Sequence, residues 1–303
     1  MQKFREVLKS SKNIIVVAGA GLSAASGIPT FRDGGGLWRK YEATSLATPE
    51  AFHENPSRVW QFYHMRREIV QKAKPNAAHM VLAALSVKET LRQICPSAES
   101  FTLITQNIDG LSPKALDQLT GTLTSKKTFE EVTPKPESII EMHGRLLATL
   151  CTECEHSEAN DDSPICAALK GTEVIVEKQE QELEIPLSDL PRCTRPNCGG
   201  LLRPDVVWFG EVPYKLEEID EIVRQADLAI VVGTSSTVYP AAGYASEVAD
   251  NGGKTAVFNL DRSAGDRKAN YLFLGPCSET LPQMLASDQS WFDDLLKIAP
   301  ATS

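Results

Sequence analysis

Four short apolar runs, separated by stretches of helical periodicity, constrain the fold of this 303-residue chain more than any other feature. The runs are Asn13–Ala18, Phe101–Thr105, Leu228–Gly233 and Thr255–Asn259. Because nearly every position in them is apolar, they are typical of strands buried on both faces of a parallel sheet. Helix-like stretches lie between them at Asn76–Leu85, Leu216–Gln225 and Ala241–Asp250. This alternation predicts an α/β fold with a doubly wound parallel sheet.

The first apolar run leads directly into a glycine-rich loop, Gly19–Ala24, with the spacing Gly-x-Gly-x-x-Ala. Such a loop between a strand and a helix favours dinucleotide binding, because its glycines let the backbone approach the phosphates and the helix start offers free N–H groups. Taken alone, the motif also fits a tight turn without a ligand. The acidic residue that usually follows about 20 positions later is missing from a strand end, which argues against a dehydrogenase.

Four of the seven cysteines form two close pairs, Cys151-x2-Cys154 and Cys193-x4-Cys198. Two such turns can place four thiolates around a tetrahedral zinc ion with no open position, which is typical of a structural metal site. The close pairing of four cysteines, in a fairly large chain with an odd total, favours metal binding in a reducing compartment over a disulfide framework. We therefore predict one structural zinc ion.

Two regions interrupt the strand–helix alternation and predict a second domain. Residues 30–76 and 142–204 would form a smaller helical and zinc-binding domain, and residues 291–303 a C-terminal tail. The larger domain would comprise residues 1–29, 77–141 and 205–290. The segment Ser112–Ser138 is rich in Thr, Lys and Pro, and we predict an exposed loop there.

Composition limits the classes of partner. With 42% hydrophobic and 23% charged residues, the chain has enough apolar material for a globular core. The net charge of -9 argues against nucleic-acid binding, which needs a positive surface. No apolar run approaches the ~20 residues that span a bilayer, so we expect no membrane insertion.

Several segments occur together and in order, and they carry a resemblance to a known family. They are Gly19–Trp38, Thr105–Asp109, Met142–Gly144, Leu202–Gly210 and Gly233–Ser236, along with both cysteine pairs. In combination they resemble the sirtuin family of NAD-dependent protein deacylases over nearly the whole chain. The resemblance implies a Rossmann-like NAD-binding domain joined to a small zinc and helical domain, with catalysis in the cleft between them.

The resemblance also implies the residues that bind NAD. Those of the first loop are Gly19, Ala20, Gly21, Ala24, Pro29, Thr30, Phe31, Arg32 and Trp38. Those that follow later strands are Gln106, Asn107, Ile108, Asp109, Gly233, Thr234, Ser235, Asn259, Leu260, Asp261 and Cys277. Asn107 and Asp109 would line the nicotinamide pocket, and Asn107 would share in catalysis.

The reaction implied by the resemblance transfers an acyl group from lysine to ADP-ribose. The acyl oxygen attacks the anomeric carbon of the nicotinamide ribose, and His143 then acts as general base on a ribose hydroxyl. A histidine suits this role because its pKa lies near neutral pH. The products are free lysine, nicotinamide and 2'-O-acyl-ADP-ribose. The other four histidines are interpreted as structural.

Within the family, the chain is most similar to the desuccinylase and demalonylase branch. Tyr63 and Arg66 are three residues apart and would share one helix face, where Arg can bind a carboxylate through two hydrogen bonds. Ala47 would leave room for a long acyl group. Val207, Phe209, Gly210 and Glu211 would bind the substrate backbone by strand addition.

One departure from the family pattern and several alternatives stay open. A long insertion follows Asp109, and the histidine that the family carries shortly after this position is absent. The alternatives are a sirtuin-type deacetylase or mono-ADP-ribosyltransferase and, more remotely, an NAD-sensing module without catalysis. The expected partners are acylated-lysine proteins, the resemblance implies a mitochondrial location with cytosol or nucleus as alternatives, and the oligomeric state is not predicted.

Overall fold

The computed structural model of the protein describes residues 2–30, 37–38, 41–126, 131–173 and 183–285. Its strands are β1 (Asn13–Ala18), β2 (Leu37–Trp38), β3 (Tyr41–Glu42), β4 (Ser100–Thr105), β5 (Ile139–Glu141), β6 (Gly144–Cys151), β7 (Ser157–Ala159), β8 (Leu202–Val206), β9 (Leu228–Val232), β10 (Lys254–Asn259) and β11 (Tyr271–Leu274). Its helices are α1 (Gln2–Ser10), α2 (Ala43–Leu46), α3 (Pro49–Glu54), α4 (Pro56–Lys72), α5 (Ala77–Leu85), α6 (Lys88–Ile94), α7 (Leu111–Ser125), α8 (Leu216–Gln225), α9 (Ala241–Asp250) and α10 (Cys277–Leu285).

The main sheet has six strands in the order β11-β10-β9-β1-β4-β5, and every neighbouring pair is parallel. Counted along the chain, this is the Rossmann strand order, so the predicted doubly wound sheet is confirmed. The order reverses between β1 and β9, which are neighbours in the sheet. Ligands of such sheets bind beyond the carboxyl ends of the strands at this switch point.

Helices cover both faces of the sheet. Alternate residues of β1 pack into different clusters, with Ile14 and Val16 in one and Ile15 and Val17 in the other. The first cluster includes residues of α1, α5, α7 and α10, and the second includes residues of α8 and α9. The apolar runs are therefore buried on both sides, as strands of this fold are. Within the described residues, no helix is long and apolar enough to cross a membrane.

The expectation of an exposed loop over Ser112–Ser138 is wrong for most of that segment. Helix α7 extends to Ser125 and packs against α5, and its buried side chains are Leu111, Ser112, Ala115, Leu116, Leu119 and Leu123. The spacing of its leucines is helical, but the surrounding Thr and Lys residues dilute the apolar signal. Pro113 lies in the first turn, where a missing N–H costs no helical hydrogen bond. Residues 127–130 lie outside the described part.

A further cluster of buried side chains is formed mainly by the two regions that interrupt the alternation of strands and helices, residues 30–76 and 142–204. Trp60 and Phe62 of α4 pack with Leu146 of β6 and Leu202 of β8. Strands β6, β7 and β8 form an antiparallel sheet. Arg67 links this sheet to α4, because its guanidinium donates hydrogen bonds to the carbonyl oxygens of Leu146 and Asn160 at 2.8 and 3.0 Å. The helix α4 is thereby fixed against the sheet that carries the first cysteine pair.

Candidate active site

A cavity of about 680 Å³ lies at the carboxyl ends of β1, β4, β9 and β10, at the switch point of the sheet. It is lined by His143 and by every predicted cofactor and substrate residue whose side chain the structure describes. Phe31 and Arg32 lie outside the described residues, and only the backbone of Trp38 is described. The structure thus brings together loops that lie far apart in the sequence.

Glycines allow the loops after β1 and β9 to approach each other closely. The N–H of Gly21 donates to the carbonyl of Gly233 at 2.8 Å, and the N–H of Gly19 donates to that of Val232 at 2.9 Å. A Cβ on Gly21 would lie 2.7 Å from the Cα of Gly233. This contact is between backbones, so no side chain can rotate away to relieve it.

We expect Gly21→Ala to weaken NAD binding and to destabilise the fold by about 1–3 kcal/mol, because the new methyl group must push two backbones apart. Gly121→Ala is the matched control, since a Cβ on Gly121 in α7 meets nothing within 4 Å. Alanine there should stabilise the helix by up to about 1 kcal/mol. Thermal unfolding and the KM for NAD measure both effects, and equal behaviour of the two variants would contradict the crowding argument.

Behind the glycine loop, a buried polar network joins it to the loop after β4. Ser23 Oγ donates to Asp109 at 2.6 Å, and the Asn107 amide donates to Ser23 Oγ at 3.1 Å and to the Gly19 carbonyl at 3.0 Å. His79 Nε2 lies 3.4 Å from Ser23 Oγ. Burial lowers the pKa of His79 to about 4, against the opposing charge of Asp109, so its ring is neutral at pH 7.

Ser23 and His79 were not predicted as site residues. Ser23 lies within the glycine-rich motif, which was the available signal for it. His79 was interpreted as structural, and it does close the start of α5: the Asn76 N–H donates to His79 Nδ1 at 3.3 Å, while the Asn76 side chain caps the helix. Its contact with Ser23, which in turn donates to Asp109, joins residues 56 positions apart in the sequence and so has no local signal.

His143 lies between β5 and β6 and faces the cavity. Its Nδ1 is 3.2 Å from the carbonyl oxygen of Gln106. Since a carbonyl oxygen can only accept, Nδ1 carries the proton and Nε2 is left without one, as a base requires. Burial lowers the pKa of His143, although the bond to Gln106 opposes this, so the ring is in its basic form at neutral pH.

Helix α4 places Tyr63 and Arg66 in the wall of the same cavity. The Tyr63 hydroxyl accepts a hydrogen bond of 2.8 Å from Trp208 Nε1, and burial raises the pKa of Tyr63 to about 12. The Arg66 guanidinium carbon lies 5.5 Å from the centre of the Phe62 ring. Burial lowers the pKa of Arg66, but a guanidinium keeps its charge at neutral pH. The cavity therefore contains a neutral hydroxyl beside a cation.

The segment after β8 already forms hydrogen bonds with other parts of this chain. The N–H groups of Val207 and Phe209 donate to the carbonyl oxygens of His143 and Ala47 at 2.8 and 2.9 Å. The Glu211 carboxylate accepts two hydrogen bonds from Arg203, at 2.6 and 2.8 Å. A substrate that pairs with this segment must therefore use backbone groups other than these two N–H groups. Arg203 was not predicted, because its role depends on partners that only the fold brings near.

The four paired cysteines meet at one point. The sulfur atoms of Cys151, Cys154, Cys193 and Cys198 all lie within 4.8 Å of one another, and two of the S–S separations are 3.5 and 3.8 Å. A tetrahedral zinc ion with Zn–S bonds of about 2.3 Å sets its sulfurs about 3.8 Å apart. A Cβ on Gly200 would lie 2.8 Å from Cys151 Sγ, so a glycine is needed at the turn. The donor set fits zinc, and none of the four lines the cavity.

We expect Cys193→Ser, or removal of zinc by a chelator, to destabilise the β6–β8 sheet, because the binding energy of a structural metal is also folding energy. The melting temperature should fall by at least about 5 °C, which corresponds to a few kcal/mol. Cys166→Ser is the control, since Cys166 lies outside the four-sulfur cluster. Equal melting temperatures of the Cys193 variant and the wild type would contradict a structural zinc site.

Comparisons with known proteins agree with this geometry. The Sir2 family matches residues 19–240. The NAD-dependent protein deacylase sirtuin-5, mitochondrial, of Canis lupus familiaris is 42% identical over 292 residues, which cover 96% of this chain and 86% of the dog protein. An NAD-dependent protein deacylase of Daphnia pulex is 43% identical, with 94% of this chain and 96% of that protein covered. A solved Sir2 homolog–NAD complex is 31% identical with a TM-score of 0.72, covering 98% of this chain and 95% of its own. The chain therefore belongs to the Sir2 family.

Proposed function

We propose that this Sir2-family, NAD-dependent protein deacylase removes acidic acyl groups, namely succinyl, malonyl or glutaryl, from lysine side chains. The deacylase activity itself is supported by relatives named NAD-dependent protein deacylases that match nearly the whole chain. The preference for acidic groups is supported by one observation above all. Tyr63 and Arg66 line the same cavity as His143 and the glycine loop, so an acyl group bound at Arg66 and NAD bound at the glycine loop would share one cavity.

The charges in the cavity support this choice of acyl group. A carboxylate that leaves water loses its hydration, and a buried site must replace that hydration with donors and a positive charge. Arg66 supplies the charge and a planar pair of donors, and the Tyr63 hydroxyl supplies a further donor. An acetyl group has no atom that would use them. The site is therefore matched to an acyl group that ends in a carboxylate.

The chain's own residues have separate tasks in the reaction. Bound NAD would supply the ribose that receives the acyl group, with nicotinamide as the leaving group. Nε2 of His143 would accept a proton from a ribose hydroxyl, while the bond from Nδ1 to Gln106 keeps the ring in the right tautomer. Asn107 and Asp109 would hold the nicotinamide end, since the network through Ser23 fixes both side chains.

The proposed substrates and location are supported by the relatives, and the proposed domain division by the packing of the chain. A solved Sir2–p53 peptide–NAD+ complex, 28% identical with a TM-score of 0.68 over 94% of this chain, supports proteins as substrates. The names of the vertebrate relatives support a mitochondrial location. The division into a larger NAD-binding domain and a smaller domain of residues 30–76 and 142–204 is supported by the cluster of buried side chains around Trp60 and Leu202.

A panel of one peptide carrying acetyl-, succinyl-, malonyl- or glutaryl-lysine tests the proposal, with and without NAD. The expected result is NAD-dependent loss of an acidic acyl group, with kcat/KM above that for acetyl. If acetyl-lysine were the best substrate, the enzyme would be a deacetylase and the acidic preference would be wrong. If NAD bound but no nicotinamide were released, the chain would be a binding module.

A further inference from the structure

Trp208, two residues beyond β8, contacts both Tyr63 and Arg203. Its Nε1 donates to the Tyr63 hydroxyl at 2.8 Å, and on its ring face the Arg203 guanidinium carbon lies 3.4 Å from the ring centre. The Trp208 backbone N–H donates to Glu211 at 2.7 Å, and Glu211 in turn binds Arg203. Only 3% of the Trp208 surface is exposed, so the packing around the indole restricts its movement.

The bond from Trp208 decides what the Tyr63 hydroxyl can do. An indole N–H is a donor only, so the Tyr63 oxygen must accept it. The single proton of Tyr63 is then directed to another acceptor, and within the described part of the chain the structure assigns none to it. Because the pKa of Tyr63 is raised to about 12, the proton is present at neutral pH. Tyr63 lines the cavity beside Arg66.

We propose that Trp208 is a positioning residue for acyl specificity: its N–H occupies the acceptor side of the Tyr63 hydroxyl and thereby turns the Tyr63 proton toward the carboxylate of the acyl group. This inference rests on the proposed function, because it concerns acyl groups that end in a carboxylate. Without the indole N–H, the Tyr63 hydroxyl is free to rotate and can present its lone pairs to the carboxylate, which repel it. Arg203 packs on the face of this ring, with its guanidinium carbon 3.4 Å from the ring centre, and so helps to keep the indole in place.

Trp208→Phe tests the role, because phenylalanine keeps an aromatic ring and removes the N–H. We expect the ratio of kcat/KM for succinyl-lysine over that for acetyl-lysine to fall about 3- to 10-fold, the usual range for one neutral hydrogen bond. The change should appear mainly in KM. The matched control is Trp60→Phe on α4, a fully buried indole whose N–H donates to the Leu202 carbonyl at 2.8 Å, away from the cavity. It should lower the melting temperature by a similar amount and leave the ratio unchanged.

The second arm repeats the substitution in a Tyr63→Phe background. If Trp208 acts through the Tyr63 hydroxyl, its removal there changes the ratio less than about twofold, because the two effects are coupled. Suppose that the wild type favours succinyl-lysine. An unchanged ratio in Trp208→Phe, or the same loss of the ratio in both backgrounds, would then overturn the inference and leave the proposed function intact. A wild type that does not favour succinyl-lysine would overturn the proposed function and this inference with it.

Discussion

Replacing His143 by alanine is expected to lower kcat for deacylation by about 10²- to 10⁴-fold, the range that a general base contributes. His143 belongs neither to the glycine loop nor to the paired strands β1 and β9, so its replacement should leave NAD binding largely intact. Steady-state kinetics with an acylated peptide, together with calorimetric titration of NAD, measures both quantities. Loss of turnover with retained NAD affinity is the expected result.

The pH dependence of kcat in the wild type distinguishes a general base from a residue with only a structural role. Burial lowers the pKa of His143 from its ordinary value of 6.5, so the basic form persists to more acidic pH. The kcat should therefore rise with pH through a pKa below 6.5 and stay level above it. An exposed histidine, His53 in α3, supplies the control variant, and His53→Ala should match wild type. Wild-type turnover by His143→Ala would show that another group is the base.

Replacing Arg66 by methionine is expected to lower kcat/KM for succinyl-lysine by about 100-fold. Methionine keeps most of the volume of the side chain but leaves the acyl carboxylate buried without its cation. A hydrogen-bonded charged partner of this kind contributes about 3 kcal/mol, which corresponds to that factor. Acetyl-lysine has no carboxylate, so its kcat/KM should change much less. The succinyl-to-acetyl ratio, measured on one peptide sequence, reports the difference directly.

Arg58→Met is the matched control for Arg66, because Arg58 is on the same helix but is not part of the cavity wall. It stacks over Tyr41, with the guanidinium carbon 4.7 Å from the ring centre. Its replacement should leave the succinyl-to-acetyl ratio at the wild-type value. If both arginine variants lowered the ratio equally, the effect would come from α4 as a whole and not from a carboxylate bound at Arg66.

The sequence predicts the parts of this molecule that carry a strong local signal. The apolar run Asn13–Ala18 coincides with β1, and helices α8 and α9 have the predicted bounds. Helix α7 was missed because only five of its 15 residues are apolar, and the Thr, Ser and Lys residues between them conceal the buried stripe. Strand β6 alternates between buried and half-buried residues, a weaker pattern that its polar surroundings concealed.

In the candidate site, too, residues within a short motif could be predicted from the sequence, whereas residues that depend on tertiary contacts could not. Motif spacing pointed to Gly21 and the four cysteines as candidates, because each belongs to a short segment with its own chemistry, and the family resemblance added His143. Trp208, which lines the cavity, and Arg203, which packs on the Trp208 ring, were not predicted as site residues. Their roles arise from contacts with Tyr63 and Glu211, and the contact between Trp208 and Tyr63 spans 145 residues of sequence. Such pairings have no local periodicity and become visible only in the folded chain.

If the cavity selects acyl groups by their carboxylate, two peptides that differ only in this group should compete unequally for the enzyme. One peptide is prepared with succinyl-lysine and with butyryl-lysine, which has the same number of acyl carbons but no carboxylate. Both are mixed at equal concentration with NAD and enzyme, and mass spectrometry follows each peptide together with nicotinamide. We expect the succinyl peptide to be consumed first, with one nicotinamide released per lysine freed. Equal consumption, or prior consumption of the butyryl peptide, would contradict it.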